Sequence, residues 1–198
     1  MHRIHKLLAP IVRSAPAVST ALVIAACALC AAPAQAQSSP ERYLLAATAG
    51  APLRLTEDVD LDQSTLAPLY SDLLLGYVFP GDGLRHGLGA SLSINLTSDG
   101  GYTEPVNPGD QLVLAPSYVL YAGLGNDVLF LGQAGLPIVL TGGNTVGLAL
   151  SGALGYRLLA GMGVMAELGF ESFVGVSSRI HPTVSLELGM FLDYEVLP

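Results

Sequence analysis

The chain has 198 residues, 51% of them hydrophobic and only 12% charged, with a mean hydropathy of +0.54 and a formal net charge of −8. Soluble domains carry about 25% charged residues, so the chain is unusually short of charge, and the length allows one domain. The excess of acid disfavours nucleic acid as a partner, because neutralising phosphates needs Lys and Arg.

The first stretch reads as a targeting segment. "MHRIHKLLAPIVR" is basic, "SAPAVSTALVIAACALCAA" is apolar, and "PAQAQ" offers small residues for cleavage. That order predicts a signal peptide over residues 1–36, cut after Ala36, and a mature domain over 37–198. The alternatives are a retained membrane anchor, or a lipoprotein acylated at Cys27, because "IAAC" (Ile24 to Cys27) resembles a lipobox. Cys27 and Cys30 both lie in this segment, so a chain cut after Ala36 has no disulfide, thiolate nucleophile or Cys-ligated metal. Removing Arg3, Lys6 and Arg13 leaves five arginines against sixteen acids, a net charge of about −11.

Eight segments with a period of two follow. Their apolar sets begin with Tyr43, Leu45, Ala47, Ala49, Ala51 and Leu53. Next come Leu69 to Phe79 and His86 to Leu96, each read at alternate residues. The fourth runs from Leu112 to Leu124, the fifth from Val128 to Ile138, the sixth from Val146 to Tyr156. The seventh runs from Met162 to Phe170 and the eighth from Val184 to Tyr194. The opposite faces are of another kind. In the sixth to eighth segments they are rich in Gly, Ser and Ala and hold isolated charges, as in Thr145, Gly147, Ala149, Ser151, Ala153, Gly155 and Arg157. Small residues weaken a solvent-facing strand but suit the inside of a narrow closed barrel. An apolar outside around a small, polar inside is the pattern of a transmembrane β-barrel.

Connection lengths give an orientation. "TEDVDLDQST", "SDGGYTEPVNPGD", "TGGNT" and "GVSSRIHP" alternate with "PGDGLR", "GND" and "LAG". Bacterial barrels keep short turns periplasmic and longer loops outside, so the first set is predicted to be external. Tyr43, Tyr77, Phe79, Phe130, Tyr156 and Tyr194 then gather near periplasmic strand ends as an interfacial belt, with Phe170 as the candidate for an external one.

Over nearly the whole mature chain this pattern resembles the small eight-stranded outer-membrane barrels of the OmpA and OmpX type, without a local signature motif. The resemblance implies an all-β, eight-stranded antiparallel up-and-down transmembrane barrel in the bacterial outer membrane. Its implied partners are outer-membrane lipid, lipopolysaccharide and the barrel-assembly machinery, and its implied state is a monomer without cofactors. Many such proteins end in an aromatic residue, whereas this sequence reads "DYEVLP". The rival folds are a bundle of membrane helices and a soluble lipocalin-like barrel.

Candidate site residues fall into three groups. Arg42, Arg85, Arg157, Asp193 and Glu195 share the periplasmic strand ends, and closure of strand one on strand eight lets Arg42 pair with Asp193 or Glu195. Asp72, Glu167, Glu171 and Glu187 face inward mid-barrel without an arginine beside them. A last turn centred near Ser178 puts Glu171 opposite Ser185 and Glu167 opposite Gly189, with Glu187 diagonal to both glutamates. Asp58, Asp60 and Asp62 alternate in "EDVDLDQS" as weak divalent-metal candidates, although the Gly and distal Glu of a calcium loop are missing. Ser177, Ser178, His181 and Glu171 hold the parts of a nucleophilic hydrolase, but no nucleophile elbow accompanies them. An eight-stranded barrel is only wide enough for side chains to fill. The expectation is therefore a structural or surface protein, not an enzyme, with a filled lumen and no open pore. The alternatives are a lipid-modifying hydrolase and a narrow channel or ligand-binding barrel.

Overall fold

Alternating large apolar and small residues fold into long strands wherever one face can meet an apolar phase. The computed structural model describes residues 39–55, 67–98, 107–141, 145–175 and 179–195. It contains β1 (Arg42–Arg54), β2 (Tyr70–Val78), β3 (Arg85–Asn95), β4 (Leu112–Gly123), β5 (Val128–Gly135), β6 (Ile138–Val139), β7 (Thr145–Leu159), β8 (Met162–Gly175) and β9 (Arg179–Glu195). The signal-peptide reading and Asp58, Asp60 and Asp62 lie outside the described residues.

Apart from β5 and β6, each strand pairs antiparallel with its neighbour in the chain, and β1 pairs with β9 from Arg42↔Glu195 to Arg54↔Thr183. β5 and β6 form one stave, since both lie between β4 and β7. The stave is interrupted at Leu136 and Pro137, where proline removes a backbone donor from the ladder. Nine strands therefore make eight staves and a closed, up-and-down barrel. Closure pairs both edges of every stave, the condition for crossing a membrane with strands.

The outward face carries the predicted apolar sets. Leu75, Leu88, Leu154, Leu186, Leu188 and Tyr194 are each more than half exposed. An apolar wall that continuous exceeds the patches soluble monomers expose, and it is matched to lipid. At the short-turn end Tyr77 packs tilted against Tyr43 and edge to face with Phe79, with ring centroids 5.3 and 5.4 Å apart. Beyond them His86 shares a hydrogen bond with the Tyr118 hydroxyl. Phe170 pairs with Leu150 part-way up the wall, below the rim predicted for it, because β8 continues to Gly175.

The inside is more apolar than the small-residue faces suggested. Leu44, Leu74, Val78, Val119, Leu129, Leu131, Met165 and Phe191 form a buried cluster in the lumen. Glycine makes room for it. A Cβ on Gly163 would stand 2.6 Å from the Phe191 ring, and one on Gly155 would stand 2.8 Å from it. Part of the Gly-rich face is thus a seat for one aromatic side chain.

Candidate functional site

Two polar layers occupy the lumen. The first lies at the short-turn end and draws its residues from five strands. Arg42 on β1 donates through Nη1 to Asp193 Oδ1 at 2.9 Å and through Nη2 to Glu195 Oε2. Both acids are on β9, so the predicted closure pair forms with both candidates rather than one. Asp193 Oδ2 also accepts from the Tyr121 hydroxyl at 2.8 Å and from Arg157 Nη2 at 2.5 Å. Arg157 Nη2 lies 2.5 Å from the same hydroxyl. Arg85 takes another role: it stacks over the Tyr121 ring at 4.6 Å and donates to the Pro40 carbonyl at 2.9 Å. Charge-assisted bonds in a nearly dry site are strong, and Asp193 is only 3% exposed.

Tyr121 is the residue that sequence reasoning missed at this site. It lies on the inward face of β4 and is 2% exposed. Its position among the inward residues of its own segment was visible; its role as the floor of a three-arginine cluster depended on contacts across the barrel.

The second layer is acidic and lies further up. Asp72 on β2, Glu167 and Glu171 on β8 and Glu187 on β9 line one cavity with Ser91, Ser93, Gln133 and Ser151. The β8–β9 register differs from the predicted one by two residues. Glu167 stands directly opposite Glu187, and Glu171 opposite Thr183. The hairpin centres one residue earlier than Ser178, and each residue of displacement moves a partner by two.

Neutral groups serve the acids. Thr48 Oγ1 donates to Glu187 Oε2 at 2.6 Å, Ser93 is within hydrogen-bonding reach of Asp72, and Ser151 serves Glu167. Asp72 Oδ1 is buried without a protein partner among the described residues. The cavity offers about 50 Å³ to the centres of water molecules, enough for a few, since each needs roughly 10–15 Å³. Chemically this layer concentrates carboxyl groups beside hydroxyls.

Most of the hydrolase constellation lies outside what the structure describes. Glu171 belongs to the acidic cavity, while Ser177 and Ser178 lie outside the described residues.

No family model matches the chain, and no curated protein does. Solved structures do. A de novo designed transmembrane β-barrel matches at 13% identity and TM-score 0.50, over 79% of this chain and 98% of that one. Ail, the attachment invasion locus protein of Yersinia pestis, in complex with the heparin analogue sucrose octasulfate, matches at 12% identity and TM-score 0.50, over 79% and 99%. Neisserial surface protein A matches at 12% identity and TM-score 0.47, over 80% and 99%. At these identities the first two likenesses speak to fold alone, and with the closed strand order they give it: the chain is an all-β, eight-stranded, antiparallel up-and-down transmembrane β-barrel.

Proposed function

We propose that this chain is a bacterial outer-membrane barrel with a structural or surface role, a lumen filled by side chains and no conducting pore. It works as a monomer without cofactors or catalytic chemistry, exported through a cleaved signal peptide and inserted by the barrel-assembly machinery. Its partners are outer-membrane lipid and lipopolysaccharide, with the long loops outside and the short turns periplasmic.

One observation carries this reading. The buried cluster around Phe191, Met165 and Val119 lies in the lumen with the Arg42–Asp193–Arg157–Tyr121 network, and this packing supports a lumen without an open pore. Fractionation with boiled and unboiled gel samples tests location and barrel stability together. Planar-bilayer recording tests the lumen. The expected result is an outer-membrane, heat-modifiable band that adds no discrete conductance steps. Stable single-channel steps from purified protein would replace this reading with the channel alternative.

A further inference from the structure

Only one strand pairing joins the two ends of the barrel sequence, and its polar contacts are unevenly shared. Arg42 on β1, Arg85 on β3 and Arg157 on β7 converge on Tyr121 of β4. Among the described residues, the acids that neutralise this group are Asp193 and Glu195, and both lie on β9. Without β9, three guanidiniums would crowd one ring with no carboxylate among them. Like charges held that close in a partly dry site oppose packing. When β9 docks, Asp193 alone contacts β1, β4 and β7 at once, while Glu195 is a third exposed and meets Arg42. The seam carries a further polar bond, Thr48 to Glu187, higher up.

We propose that Asp193 is the closure lock of the barrel: by neutralising the arginines around Tyr121 it couples docking of the last strand to packing of the short-turn end of the lumen. Strands β1 to β8 can pair as a sheet beforehand, and the lumen end sets only when this carboxylate arrives. Arg85, which has no ion pair among the described residues, depends on the lock only through the summed charge.

The test follows the seam and a control pair of strands separately, in the full chain with Cys27 and Cys30 replaced by serine. Ala49→Cys with Leu188→Cys spans β1–β9, and Leu154→Cys with Ala166→Cys spans β7–β8; each pair is in register. The protein is refolded from urea into lipid vesicles and sampled over time with a short bis-maleimide crosslinker. In the parent both crosslinks appear. Asp193→Asn should delay the seam crosslink at least about tenfold, a factor worth 1.4 kcal/mol, and leave the β7–β8 crosslink at its parent rate. Glu195→Gln should delay neither. Adding Arg85→Gln to Asp193→Asn should recover part of the lost seam rate by removing one unneutralised cation. The proposal is overturned if Asp193→Asn closes the seam at the parent rate. It is also overturned if both crosslinks are lost together in the single and double variants, which would make Asp193 a general packing residue.

Discussion

Leu150 and Ser151 are neighbours in β7 that face opposite phases, and one substitution at each separates inside from outside. Leu150 is 46% exposed and pairs with Ala134 and Phe170 on the outer wall. It stands six residues above Tyr156 of the aromatic belt. At about 3.4 Å per residue and a tilt of roughly 40°, that is about 16 Å up an apolar band about 25 Å tall. Leu150→Arg therefore buries a guanidinium near mid-membrane, at a cost of about 2–4 kcal/mol.

Ser151 instead lines the acidic cavity beside Glu167 and Glu187. In a narrow lumen an arginine at this position is expected to fail by overfilling. The structure changes that expectation, because the added side chain displaces a few waters and meets carboxylates. Overpacking costs about 1–3 kcal/mol, and hydrogen bonds to charged groups return about 1.5–3 kcal/mol each. Ser151→Arg should therefore unfold close to the parent midpoint. Reversible urea unfolding in lipid vesicles measures both. Equal losses at the two positions, or a larger loss at Ser151, would refute the assignment of faces.

Single cysteines at Asp110 should react with a membrane-impermeant maleimide on intact cells, whereas those at Asp82 and Asn126 should react only after the outer membrane is permeabilised; the opposite pattern would invert the orientation. Gly189→Ala forces a Cβ to within 2.1 Å of the Ala47 carbonyl oxygen, so the β1–β9 seam must shift, and a loss of about 1–3 kcal/mol is expected in urea unfolding. Gly123→Ala meets nothing within 4 Å and should stay within about 0.5 kcal/mol of the parent.

The alternation of Leu with Gly and Ser made strand type and the two faces legible, because a period of two survives whatever the strands pair with. The clasp of Arg42 to Asp193 and Glu195 was legible for a related reason: closing an up-and-down barrel joins first strand to last. Three features were not. The apolar filling of the lumen was hidden in runs such as "RYLLAATAG" and "DLLLGYV", where Leu44 points inward between Tyr43 and Leu45, and Leu74 between Leu73 and Leu75. With both faces apolar, hydropathy no longer marks the inside. The β8–β9 register depended on the centre of one turn, and an offset of one residue turned the direct Glu167–Glu187 pair into a diagonal one. The convergence of Arg85 and Arg157 on Tyr121 depended on distances across the lumen, which no local spacing encodes.

The leucine face meets lipid and the other face is buried in the lumen. The chain contains no tryptophan, so each one introduced reports alone. Leu150→Trp and Phe191→Trp place an indole on the outer wall and in the lumen core. Fluorescence of each, refolded into vesicles with acyl chains brominated near mid-bilayer, measures contact with lipid directly. Strong quenching is expected for the tryptophan at 150 and little for the one at 191. Strong quenching at 191 with little at 150 would contradict this assignment of faces.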